Sequence, residues 1–202
     1  MSHAKAKRER QLNKVPRNHK LFWGSSYDRG LQHLLKMWPQ IKAKFPDATL
    51  DVAYGWDLFD KGYANNPERM AWKERINKLM EQDGITHHGR ISKDKLKSLR
   101  QSCGIWAYTT DFQEINCITA LECQSDGCVP CVIDYAALKE TVQSGVKIDG
   151  DIYDEETQLA YLDGLLLLMG DEEKWKQEQL KGYEFTKNYR WEVIADEWAK
   201  LF

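Results

Sequence analysis

The 202 residues carry 29 basic and 31 acidic side chains, a formal net charge of -2, with 42% hydrophobic residues and eight Trp. So even a balance leaves no basic footprint for nucleic acid, while the apolar content is enough to bury the core of one α/β domain with extensions. No run reaches the roughly 18 to 20 apolar residues that cross a bilayer, Leu165 to Met169 being far too short; the N-terminus lacks the apolar core of a signal peptide, and a cytoplasmic location is expected.

Residues 1–18 are polar, basic and aperiodic, and Pro16 opposes a helix, so they read as a linker or extension. The run Lys5-Ala6-Lys7-Arg8-Glu9-Arg10 has the charge for peripheral contact with acidic lipid heads, although a solvated tail is the commoner use of so few charges. Lys20 to Ser26 forms the first strand. From Gly30 to Lys44, Leu31, Leu34, Leu35, Trp38 and Ile41 recur at helical spacing, and Pro46 closes the helix. Thr49 to Gly55 alternates as a second strand, Pro67 to Gln82 starts as a helix with Pro near its first turn, and Ile85 to Gly89 is a short strand. Ser92 caps a helix through Leu99. Gly104 to Thr110 is a continuous apolar run ending in hydroxyls, the mark of a buried parallel strand. Pro130 to Asp134 is another, so the helix between them is the crossover of a βαβ unit. Strands and helices alternate in this way up to about Ile148, which predicts a Rossmann-like doubly wound parallel sheet with helices on both faces, over residues 19–150. Residues 151–202 are expected to form C-terminal helices packing on it, namely Glu155 to Met169, Glu172 to Gly182 and Thr186 to Phe202. The last carries Tyr189, Trp191, Ile194, Trp198 and Leu201, an aromatic stripe of the kind that packs in a core.

Five cysteines, Cys103, Cys117, Cys123, Cys128 and Cys131, form an odd set without the regular framework of a small secreted domain, and buried, reduced thiols are expected. Cys128-Val129-Pro130-Cys131 has the spacing of a redox or zinc pair, but it enters a strand rather than a helix and has no matching second pair. His87-His88 reads as the end of a short strand.

The segment Asp111-Phe112-Gln113-Glu114-Ile115-Asn116-Cys117-Ile118-Thr119-Ala120-Leu121-Glu122 leaves the carboxyl end of a strand and enters a helix. Ligands of open α/β sheets bind at that edge, and the amides of a helix N-terminus favour phosphate. Taken alone, two Glu so spaced in a chain that is 30% charged are as a rule solvated surface residues. Their context changes that. Phe22-Trp23-Gly24-Ser25-Ser26-Tyr27-Asp28-Arg29-Gly30-Leu31, then His88-Gly89-Arg90-Ile91, then Glu114 to Glu122, then Asp126-Gly127-Cys128-Val129-Pro130 follow in one order. In these segments the chain resembles the nucleotide-sugar-binding half of retaining glycosyltransferases of the GT-B fold, whose signature is two Glu with seven residues between them.

The resemblance implies a UDP- or GDP-type nucleotide sugar as ligand, no metal and no cofactor, and a role in polysaccharide biosynthesis. It matches Glu114 to the residue that faces the donor sugar near the reacting carbon, and Glu122 to the residue that holds the ribose. Arg90 and Ile91 are matched to the backbone segment that reads the base. Cys117, Ile118 and Thr119 offer their amides to the diphosphate, and Arg29 adds a cation; Ser25 or Ser26 stands where the family commonly has a second basic residue. It also implies a facing N-terminal domain that binds the acceptor and is absent from this chain. In the family a C-terminal helix crosses back to that domain, so part of the aromatic stripe is exposed if the domain is missing. The same pocket could instead serve a non-catalytic nucleotide-sugar binding or interaction module.

Overall fold

The computed structural model describes residues 17–201. The expected basic extension up to Pro16, with its lipid-facing run, and Phe202 at the end of the last expected helix lie outside them. Among the described residues one sheet of six strands is formed: β1 (Lys20–Trp23), β2 (Thr49–Ala53), β3 (Ile85–Gly89), β4 (Ile105–Tyr108), β5 (Val129–Ile133) and β6 (Val146–Ile148). The order across the sheet is β3-β2-β1-β4-β5-β6, and every pairing is parallel. Leu21 aligns with Leu50 on one side and Ile105 on the other, and Ile105 in turn with Val129. β1, β4 and β5 are buried on both faces except for Lys20, which explains why they read as unbroken apolar runs.

Nine α-helices connect and cover the strands among the described residues: α1 (Leu31–Lys44), α2 (Asp57–Tyr63), α3 (Pro67–Met80), α4 (Lys93–Ser102), α5 (Ile118–Asp126), α6 (Leu138–Thr141), α7 (Glu155–Gly170), α8 (Glu172–Thr186) and α9 (Trp191–Ala199). Because strand order grows from β1 towards β3 and then restarts from β4 towards β6, right-handed crossovers send the two sets of helices to opposite faces. The packing follows. α1 meets α3 and α7, whereas α5 meets α4, α6 and α8. Local signals place the ends: Asn66 and Asp171 accept from the backbone amides of Arg69 and Lys174, and Ser92 caps α4 through Lys95. Gly127, at φ 88°, closes α5.

The sequence pattern misplaces several ends. β1 stops at Trp23 rather than Ser26 and β2 at Ala53 rather than Gly55, because the chain turns out of the sheet to build loops at its carboxyl edge. α2 is unforeseen: it is short and starts without a side-chain cap. The last expected helix is broken, its start ending α8, a single 3₁₀ turn (Lys187–Tyr189) following, and α9 starting only at Trp191. α9 buries nothing; Trp191 is 85% exposed, Trp198 62% and Leu201 77%. Among the described residues the aromatic stripe is therefore not part of the buried core, and periodicity alone could not tell an inward face from one aimed at another body. α8 does belong to the core: Trp175 is buried and its indole N–H donates to the Gly104 carbonyl at 2.9 Å.

Arg17 and Asn18, the last two residues of the expected extension, are tied to the domain. Arg17 donates to the Gly127 carbonyl at 2.9 Å, and the Asn18 side-chain amide to that of Met169. All five cysteines are buried and unbridged. Burial pushes the thiols of Cys117 and Cys131 up to about 12, so they carry their protons at neutral pH. Cys128 donates to the Arg100 carbonyl at 2.9 Å, and His88 pairs with Asp51 at 2.6 Å across the β2 and β3 strands. Among the described residues no group of three or more His, Cys, Asp and Glu is placed to share a metal, and no helix is long and apolar enough to cross a membrane.

Candidate active site

β1 and β4 are neighbours whose following helices lie on opposite faces, so the loops after them part and leave a crevice at the carboxyl edge. One wall is the loop from Gly24 to Gly30. The other runs from Thr109 to Cys117. They are joined at the base: Gly30 sits at φ 100°, a Cβ there would collide with the Thr109 carbonyl, and the Thr109 hydroxyl donates to the Gly30 carbonyl at 2.8 Å.

Inside the crevice Arg29 and Tyr108 converge on one oxygen of Glu114. The Arg29 guanidinium donates to Oε1 at 3.0 Å and the Tyr108 hydroxyl at 2.7 Å, while the Glu114 side chain is only 10% exposed. Tyr108 is itself positioned by Ser25, 3.3 Å away, and stacks on Trp106 at 4.9 Å between centroids. Phe112 lies flat under the Arg29 guanidinium at 3.8 Å, a cation over an aromatic face. Burial is the strongest single influence on Arg29 and opposes its charge, but Glu114 and Tyr108 together hold the guanidinium above its ordinary value. Burial raises the Tyr108 phenol, which stays a donor throughout the neutral range. With Oε1 engaged twice, Glu114 keeps Oε2 for a ligand hydroxyl.

α5 opens immediately beyond Glu114. Cys117 is its buried N-cap and supplies no side-chain hydrogen bond, and no acid stands in the first turn, so the amide end of the helix is uncapped. Arg90 and Ile91 line an adjoining cleft of about 210 Å³ together with Gly24, Tyr54 and Leu58. Glu122 lies one turn along α5, 47% exposed, and pairs with Arg100 of α4 at 3.0 Å. The same guanidinium grips the buried Asp126 at 2.9 Å. Ser25, Arg29, Glu114 and the start of α5 thus form one assembly, Arg90 and Ile91 flank it, and Glu122 faces a neighbouring groove with Asn116 and Ile118.

Three side chains escaped the sequence reading. Tyr108 was visible only as the last apolar position of a strand, and its partners come from the register. Arg69, on α3, reaches Asp28 at 3.3 Å beside Arg29, and brings a second cation to the loop in which Ser26 instead donates to Asp28 at 2.6 Å. Asp111 accepts from the Tyr153 hydroxyl at 2.6 Å. That contact raises the phenol to about 12.

The fold is similar to that of the GtfA/B complex, with a TM-score of 0.73 and 15% identity over 94% of this chain and 36% of that one. It is similar also to the pneumococcal O-GlcNAc transferase GtfA in complex with UDP and GlcNAc, at 0.72 and 16% over 94% and 36%. Anabaena HepE in complex with UDP and glucose gives 0.69 and 16% over 100% and 52%. At these identities the likeness is one of fold, and the chain spans between 36% and 52% of the length of those proteins. No curated protein matches in sequence. A family model for glycosyl transferases group 1 matches residues 6–185, and with the sheet order and the crevice at its switch point the chain belongs to that family, as one Rossmann-like half of a GT-B fold.

Proposed function

We propose that this chain is the donor-binding half of a retaining, metal-independent glycosyltransferase that moves a hexosyl group from a UDP- or GDP-type nucleotide sugar to a glycan, lipid or other acceptor. The observation that supports this reading best is the convergence of Arg29 and Tyr108 on Glu114 directly ahead of the uncapped end of α5. An anion is favoured by the amides of Cys117, Ile118 and Thr119 together with the helix dipole and Arg29, and a neutral ring with hydroxyls is favoured by the carboxylate beside them. The diphosphate then lies on α5, and the sugar lies against Glu114, whose charge stabilises positive charge developing at the anomeric carbon. Arg90 and Ile91 take the base through their backbone, and Glu122 takes the ribose hydroxyls. Helix amides and Arg29 neutralise the leaving diphosphate, so the scheme needs no metal. The acceptor, and any acid or base acting on it, belongs to the facing N-terminal domain. That two proteins of similar fold are described with UDP and with GlcNAc or glucose agrees with this donor class. A cytoplasmic role in polysaccharide assembly fits such a donor.

Calorimetric titration of the chain with UDP, GDP and their sugars in the presence of chelator tests the reading. Binding is expected; binding that needs magnesium or manganese overturns the metal-free scheme, and failure of every nucleotide overturns the donor assignment. The alternative is a non-catalytic nucleotide-sugar binding or interaction module that uses the same pocket. Turnover on supplying an acceptor-binding domain separates the two.

A further inference from the structure

One strand beyond the crevice, the carboxyl ends of β4, β5 and β6 enclose a separate pocket of about 470 Å³, lined by Thr110, Asp111, Tyr135, Gly150, Asp151 and Tyr153 among others. We propose that this pocket is a second carbohydrate site, one that takes an uncharged pyranose ring independently of the nucleotide.

Two tyrosines, Tyr135 and Tyr153, are 43% and 58% exposed at its rim, and such rings present an apolar face to the C–H side of a sugar. Tyr153 is not free to collapse onto the surface. Its ring stands edge-on to His33 at 4.7 Å, its hydroxyl donates to Asp111 Oδ2 at 2.6 Å, and its backbone N–H donates to Asp151 Oδ1 at 3.0 Å. Each carboxylate therefore spends one oxygen on positioning Tyr153 and keeps the other as an acceptor for a ligand hydroxyl. Tyr135 is aimed by an unusual backbone: Ala136, beside it, is the one described non-glycine residue with positive φ, at 49°. A side chain in that conformation carries strain of the kind that marks functional loops. The loop is further anchored where the Ala137 N–H donates to the Glu114 carbonyl at 3.2 Å, tying it to the loop that carries Glu114.

Charge separates the two sites. Arg29 and the amide end of α5 make the crevice attractive to phosphate, whereas the pocket is lined by Asp111 and Asp151 and by no described Lys or Arg. A phosphorylated or carboxylated ring is repelled from the pocket. A neutral ring with vicinal hydroxyls, such as the end of a glycan, satisfies both carboxylates and both aromatic faces.

Chemical-shift mapping of the isotope-labelled chain tests this with glucose, N-acetylglucosamine, maltose and glucose 6-phosphate, each with and without saturating UDP. The neutral sugars are expected to shift the amides of Asp111, Tyr135 and Gly150 to Tyr153 at millimolar concentration whether or not UDP is present. Glucose 6-phosphate is expected to shift them less. Tyr135→Ala and Asp151→Asn, both at exposed positions, should each weaken the effect about tenfold while leaving UDP binding unchanged. Competition between sugar and UDP, shifts confined to the Glu114 side, equal binding of glucose 6-phosphate, or no response to any neutral sugar would each overturn the proposal. Sugar shifts without UDP binding would leave it standing and remove the donor reading instead.

Discussion

Glu114 and Glu122 stand in different surroundings, and their substitution separates their roles. Glu122→Gln should weaken binding of UDP or GDP itself: losing a charge-assisted bond to ribose costs about 1.5 to 3 kcal/mol, or roughly ten- to a hundredfold in affinity. Glu114→Gln should leave the nucleotide nearly unaffected and weaken only the nucleotide sugar. Solvated acids without a ligand would show neither effect, so calorimetry on the two variants decides. Tyr108→Phe tests how Glu114 is held. The ring keeps its stacking on Trp106, but Glu114 loses one of two donors to Oε1, and a stability loss of about 0.5 to 1.5 kcal/mol is expected with a further fall in affinity that depends on the sugar being attached. Equal losses for UDP and UDP-sugar would assign Tyr108 a purely structural part. Glu114 was singled out by the resemblance its segment carries rather than by its charge, and Arg29 by its place at the tip of the first βα loop; the structure brings the two together. Tyr108 was not legible, since a tyrosine closing an apolar strand looks like core until the register places Ser25 and Glu114 beside its hydroxyl. Nor was the Arg100 grip on Glu122, which bridges two helices over 22 positions and leaves no periodic trace.

At the scale of elements, α8 and α9 were indistinguishable in pattern and differ wholly in burial. Trp175→Ala in α8 removes a buried indole and one of the two donors to the Gly104 carbonyl, the Val129 N–H remaining, and should cost about 3 to 5 kcal/mol. Removing the chain from Trp191 onward takes away no described residue that is buried and should leave the melting temperature within a few degrees of the intact chain. Thermal denaturation of both variants checks the contrast; a large loss on truncation would mean that α9 folds back on the domain. The alternating strands and helices were readable because each repeats its own period over several residues. The ends of β1 and β2 were not, because Gly24, Ser25 and Tyr54 continue an extended chain in sequence while leaving the ladder in space.

For the molecule as a whole, a single Rossmann-like half offers one wall of a cleft. Transfer requires donor and acceptor held together away from water, so the purified chain is expected to bind nucleotide sugar but to transfer none at an enzymatic rate. A robust rate after subtraction of hydrolysis would show that an assembly of this chain builds the second wall. The exposed Trp191 and Leu201 belong to the same scale, since an apolar surface open on one domain becomes intelligible beside another.

The junction of Gly30 with Thr109 carries a kinetic consequence. With the backbones of the two walls in contact and locked by the Thr109 hydroxyl, neither loop can swing without the other, so a nucleotide bound as proposed would meet a crevice already shaped for it. Association then has no slow rearrangement to wait for beyond the turn of the Arg29 side chain. In stopped-flow mixing, the observed rate for UDP is expected to rise linearly with concentration as a single exponential, and a plateau would reveal a closing step that this junction forbids.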